Sequence, residues 1–124
     1  MNCVNKAILV GRLGTNPIQR YTKTGVPVVH FSLATSKKLR GEDGTEREET
    51  QWHQVVVWGK QAEACAEYFG KGDSVFLEGS FRSHEYQGKD GRSRTAFEVH
   101  AERVNFLTKA RPKEVEGEAL AASA

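Results

Sequence analysis

The stretch Gln51-Trp52-His53-Gln54-Val55-Val56-Val57-Trp58 constrains this chain more than any other. A run this rich in β-branched and aromatic residues reads as a strand. Strand side chains alternate between two faces, so Trp52, Gln54, Val56 and Trp58 share one side and His53, Val55 and Val57 the other. A single tryptophan is most simply read as core. A pair with polar Gln54 between them, opposite apolar Val55 and Val57, favours a core on the valine side and an open, ligand-facing surface on the other.

The remaining segments supply the partners for this strand. Lys6–Leu13 reads as a strand that bends, or crosses close to another backbone, at Gly11 and Gly14. Asn16-Pro17 marks a turn, and Arg20–Gly25 a short strand or extended lead-in. Pro27–Thr35 alternates, with Val29, Phe31 and Leu33 on one face and Val28, His30 and Ser32 on the other. Ser36–Glu49 has no apolar periodicity; Lys37, Lys38 and Arg40 come first, and Glu42, Asp43, Glu46, Glu48 and Glu49 follow. It reads as an exposed hairpin loop.

Lys60–Phe69 is the one helix pattern inside the domain, with Ala62, Cys65, Ala66 and Phe69 forming a narrow stripe of mostly small residues. Gly70 is its expected stop. Ser74–Ser83 follows as a strand with Val75, Leu77 and Phe81 on one face. His84–Arg94 is a polar loop or hairpin tip, and Thr95–Phe106 is the last strand, with Phe97, Val99 and Ala101 alternating. Three strand regions, one helix and two more strands match a β-rich fold: a five-stranded antiparallel Greek-key barrel of the OB type, with the helix between strands three and four. Residues 1–107 form this domain, and 108–124 read as a flexible tail of thin apolar content broken by Pro112.

The 124 residues suit one domain, and the net charge of +2 does not by itself announce a nucleic-acid binder. Two cysteines, Cys3 and Cys65, have no metal spacing with the histidines, so neither a disulfide framework nor a zinc site is expected, and no cofactor is implied. The opening residues lack an apolar signal region, and no apolar run nears the roughly 20 residues of a membrane span. A cytoplasmic protein is expected.

Unpaired strands are gripped by flat aromatic surfaces that stack on bases and by cations that neutralise phosphates. Trp52 and Trp58 supply the first. Tyr86 either joins them or packs on its own hairpin; Arg82, His84 and Tyr86 share a face if the strand continues. Candidate phosphate contacts are Arg20, Lys37, Lys38, Lys60, Lys71, Arg82 and Arg94, several of them in the long loops with which OB-folds hold oligonucleotides. The acidic half of the first loop argues against simple electrostatic wrapping there, and could contact another subunit. His30, His53 and His100 read as satisfied structural residues. Acidic residues crowd one loop and the tail instead of forming a metal-binding cluster, and Cys65 sits on a face expected to be inert, so no catalytic machinery is legible. Another OB-fold module, such as a primosomal or RNA-binding protein, is the nearest alternative; a protein whose tryptophans pack on a partner is another.

With these residues in hand, the chain resembles the bacterial-type single-stranded DNA-binding protein family from about Val4 to Phe106. The motifs are Val4-Asn5-Lys6-Ala7-Ile8-Leu9-Val10-Gly11-Arg12-Leu13-Gly14, Ser32-Leu33-Ala34-Thr35-Ser36, Glu49–Lys60, Tyr68-Phe69-Gly70-Lys71-Gly72 and Val75-Phe76-Leu77-Glu78-Gly79. The resemblance implies an OB-fold homotetramer that coats single-stranded DNA in replication, recombination and repair, without catalysis. It implies stacking at Trp52, Trp58 and Tyr86, and subunit contacts at His53, Asn5, Lys6 and Phe76. Two positions depart from the pattern. Leu39 stands where the family has a tryptophan, and the chain ends Glu118-Ala119-Leu120-Ala121-Ala122-Ser123-Ala124 in place of the acidic tip that recruits replication and repair proteins.

Overall fold

Alternate residues in the inner halves of the long strands reach one interior. The computed structural model describes residues 1–110, so most of the expected tail, positions 111–124, lies outside the described residues. The elements are β1 (Ala7–Leu13), β2 (Ile18–Tyr21), β3 (Pro27–Arg40), β4 (Glu46–Trp58), α1 (Lys60–Tyr68), β5 (Ser74–Gln87) and β6 (Ser93–Thr108). Val29, Phe31 and Leu33 of β3, Val55 and Val57 of β4, Val75 and Leu77 of β5, and Val99 of β6 form the core. These residues follow the period-2 pattern read from the sequence, although Val28 and Val56 on the opposite face are buried as well, at 6% and 2% exposure.

Five strands close the barrel: β1 pairs β5, β5 pairs β6, β6 pairs β4, β4 pairs β3, and β3 returns to β1. The short β2 is an edge strand on β3. Closure brings β1 across β3 where Arg12 and Leu13 face Ala34 and Leu33. A Cβ on Gly11 would strike the Ala34 carbonyl, so this crossing needs glycine. The ladders are antiparallel except β4–β6, which is parallel through Val55/Val99, Val56/His100 and Val57/Ala101. That pairing has no local signature, because α1 and the whole of β5 lie between its strands.

Two stretches expected as loops are mostly strand. β3 and β4 run on as a hairpin arm to Arg40 and from Glu46, and β5 and β6 do the same to Gln87 and from Ser93. In the first arm Lys37 lies opposite Glu49, Lys38 opposite Glu48 and Arg40 opposite Glu46. The basic-then-acidic order is thus the two sides of one ribbon, and opposite charges facing each other favour that register. Both faces of the arm meet solvent, so it carries no apolar periodicity from which a strand could be read. Phe81 and Phe97, expected to continue the inward rows, lie where the second arm leaves the barrel and are 49% and 71% exposed.

Helix α1 turns Ala62 and Cys65 into the core, with Ala66 and Phe69 packed beside them, as its spacing predicts. Burial pushes the Cys65 thiol up to about 11, which leaves it protonated and unreactive near neutral pH. No helix among the described residues is long and apolar enough to cross a membrane.

Asp73, 1% exposed, ties the turn after α1 to the end of β6. Its carboxylate accepts from the Gly70 N–H at 2.8 Å and the Ala110 N–H at 2.7 Å, and meets Lys109 Nζ at 3.3 Å. Burial raises its pKa, but the two backbone donors and the Lys109 ammonium together outweigh burial and hold the carboxyl below its usual 3.8. A depressed folded value stabilises the fold above the unfolded value, and that contribution is lost as pH falls through the lowered one. Asp73→Ala is expected to lose about 1–3 kcal/mol of unfolding free energy near neutral pH. Urea titrations at several pH values should show the gap to the wild-type chain narrowing below the carboxylate range.

Candidate nucleic-acid interface

With Val55 and Val57 in the core at 1% and 0% exposure, Trp52 and Trp58 must lie on the outside of β4, and they are 60% and 46% exposed. Trp52 stands opposite Ala34 and lies over Gly14, where a Cβ would run into the far edge of the indole. Gly14 is held there by its own N–H, which donates to the Ser32 carbonyl at 2.8 Å. The missing side chain of Gly14 is therefore the seat of the Trp52 ring.

Trp58 borders a groove of about 370 Å³, walled by Arg20, Tyr21, His30, His84 and His100. Sheet register builds it. Arg20 lies opposite Val28, which lies opposite Trp58; His30 lies opposite Val56, which lies beside His100. The Trp58 Nε1–H donates to His100 Nδ1 at 3.2 Å. Because β5 continues to Gln87, Arg82, His84 and Tyr86 do share one face, the outward face that also carries Ser80 opposite His100. Tyr86 is 46% exposed and its ring centre lies 6.2 Å from that of His84. The aromatic surface thus runs from Trp52 and Trp58 on β4 across His100 on β6 to His84 and Tyr86 on β5.

The candidate cations divide into two groups. Arg20, Lys60, Lys71 and Arg82 are exposed and make no ion pair among the described residues, although Arg82 stands opposite Glu98. Arg20 walls the Trp58 groove, and Lys60 follows Trp58 by two positions at the start of α1. Lys71 lies in the turn after α1, its backbone N–H bound to Asn16 Oδ1 at 2.8 Å. In the second group Arg94 is paired with Asp90 at 3.2 Å, and Lys37 and Lys38 face glutamates across the arm. Lys38 falls on the Trp52 face of the ribbon, Lys37 on the His53 face, and Leu39 opposite Arg47.

The expected subunit-contact residues do not line the Trp58 groove. His53 is on the opposite face of β4, level with Leu33, and its Nε2 lies 2.9 Å from Thr35 Oγ1. Asn5 mimics a strand residue: its side chain accepts from the Phe81 N–H at 3.0 Å and donates to the Phe81 carbonyl at 2.9 Å. Lys6 pairs with Glu78 at 3.5 Å. Phe76 lies opposite Val10, which with Ile8 leaves β1 with an exposed apolar outer face.

Tyr21, Glu98 and the histidines of the groove were not legible as site residues. His30 and His100 alternate with core residues, which places them outside, but only closure of the barrel shows that they converge on Trp58. Among the described residues no cluster of three or more histidine, cysteine or acidic side chains could hold a metal ion.

Comparison with known proteins adds an independent line. The sequence profile of the single-strand binding protein family matches residues 4–107. A single-stranded DNA-binding protein of Neisseria meningitidis is 43% identical over 104 residues, covering 84% of this chain and 60% of the relative. One from Xanthomonas axonopodis pv. citri is 39% identical over 104 residues, covering 84% and 58%. The chain thus spans about three-fifths of the length of these curated relatives. Among solved structures, Plasmodium falciparum SSB in complex with ssDNA superposes with a TM-score of 0.79 at 26% identity, covering 86% of this chain and 97% of that one. A deletion mutant of the single-stranded DNA binding protein from Thermus aquaticus gives 0.72 at 33%, covering 84% and 50%.

The seat of Trp52 is directly testable. Gly14→Ala, in a Trp58→Phe background that leaves Trp52 as sole indole, should displace the ring while the barrel stays folded. Acrylamide quenching of Trp52 should rise, with a stability loss of about 1–3 kcal/mol, because the added methyl meets both the indole edge and Ser32 Oγ.

Proposed function

The chain belongs to the single-strand binding protein family, and we propose that it binds single-stranded DNA with little sequence preference, stacking unpaired bases on Trp52, Trp58 and Tyr86. One observation carries this: two indoles stand about half exposed on the outer face of a strand whose inner face is the core. Leaving large apolar rings exposed gains nothing for the fold, and every base offers a π-face to them. The ssDNA complex of the Plasmodium relative supports the choice of ligand. Arg20, Lys60 and Lys71 are the best-placed phosphate contacts, because none of them pairs with or stands opposite a carboxylate in a ladder. Lys37, Lys38, Arg82 and Arg94 contribute less, since each faces or binds a carboxylate.

Binding involves no catalytic step. The protein coats exposed strands during replication, recombination and repair, in the cytoplasm at the nucleoid, as a homotetramer. The exposed β1 face with Asn5, Lys6 and Phe76, and the His53 side of the first arm, are the surfaces available for subunit contact. Residues 1–107 act as the binding domain and the residues beyond it as a tail.

Titration with fluorescently labelled oligo-dT tests the reading. Trp52→Ala and Trp58→Ala should each weaken binding by roughly five- to a hundredfold, the range of about 1–3 kcal/mol for a stacked base, with the circular dichroism spectrum unchanged. Unchanged affinity in both would overturn the stacking assignment. Affinity should fall linearly with salt on a logarithmic plot, by about 0.7 per phosphate contacted. His53→Ala should leave the barrel folded and move the sedimenting species toward smaller assemblies; an unaltered profile removes His53 from the interface.

A further inference from the structure

Trp58 is exposed at the end of β4, yet it is not loose. Its Nε1–H donates to His100 Nδ1 at 3.2 Å, with ring centres 6.3 Å apart and planes only 23° from parallel. With donor and acceptor on the facing ring edges, that separation places the rings side by side. An imidazole nitrogen accepts only when it carries no hydrogen, so the proton of neutral His100 sits on Nε2. Nε2 lies 3.4 Å from Glu98 Oε1, an acceptor that suits this tautomer. The same oxygen lies 3.3 Å from His84 Nδ1. The His100 and Glu98 side chains are 16% and 19% exposed, whereas Trp58 is 46% exposed. A mostly covered acceptor, oriented by a mostly covered carboxylate, therefore grips an exposed ring.

We propose that His100 is a positioning residue for the Trp58 platform: its Nδ1 fixes the angle at which the indole meets a base, and Glu98 holds His100 in the accepting tautomer. A free indole must surrender rotamer freedom when a base stacks on it; one already fixed has little left to lose. The inference rests on the stacking reading above and adds a residue that itself need not touch DNA.

The test uses the full chain and labelled oligo-dT anisotropy, beside the exchange rate of the Trp58 indole N–H by ¹H–¹⁵N NMR in a Trp52→Phe background. His100→Leu keeps bulk and removes the acceptor; His100→Asn puts an amide oxygen near the position of Nδ1. His100→Leu should speed indole N–H exchange tenfold or more and weaken oligo-dT binding by about three- to tenfold, the scale of immobilising one side chain. His100→Asn should restore most of both. In a Trp58→Phe background, which has no N–H to hold, His100→Leu should leave affinity unchanged. If His100→Leu alters neither readout, if His100→Asn restores neither, or if the leucine effect persists with phenylalanine at 58, His100 merely fills space and the proposal falls. If the wild-type chain fails to bind oligo-dT at all, the stacking reading fails instead, while indole exchange still reports the Trp58–His100 bond.

Discussion

The alternation of side chains along β4 couples the core to the binding face. Val55 and Val57 are sealed among Phe31, Leu33 and Val99, and this fixes the opposite orientation for their neighbours. A slip of one residue against β3 would bring the indoles inward and expose the valines. The register is pinned through all thirteen residues of β4, from Trp58 opposite Val28 to Glu46 opposite Arg40. Exposure of the tryptophans is thus a consequence of burying their neighbours, and the energy that holds the platforms in place is the hydrophobic energy of the barrel.

Charge in this molecule is organised more by pairing than by excess. The first arm places its cations across from its acids, so a segment that looks strongly basic and then strongly acidic along the chain is nearly self-neutral in space. This explains how a net charge of +2 is compatible with binding a polyanion. What matters locally is which cations near the aromatic face escape internal partners, and Arg20 and Lys60 beside Trp58 are two of them. On the proposed reading such a surface would touch a few phosphates, and stacking would carry much of the sequence-independent affinity.

The row from Trp58 through His100 to Glu98 and His84 crosses three strands. It joins a strand before α1 to two strands after it: the parallel β4–β6 ladder brings Trp58 to His100, and the antiparallel β5–β6 ladder brings His84 to Glu98. An exposed aromatic supported by polar neighbours beneath its edge is a different object from one lying free on a surface. Its orientation is set before any ligand arrives, and the support is built on strands, where side-chain positions are best controlled.

Most of the barrel was legible in the residues, because a half-buried strand must write its alternation into the chain: Val29-Phe31-Leu33, Val55-Val57 and the small-residue stripe of α1 could point only inward. The outward placement of Trp52 and Trp58 followed from the same rule. The strands of the two arms were not legible, since a ribbon wet on both faces has no apolar period to display, and Phe81 and Phe97 misled because their rows run past the end of the core. The meeting of His100 with Trp58, of Gly14 with Trp52, and of Asp73 with Ala110 depends on closure of the sheet. Local patterns record which face a residue occupies, whereas these contacts join residues far apart in the chain, and only the packed barrel sets their distances.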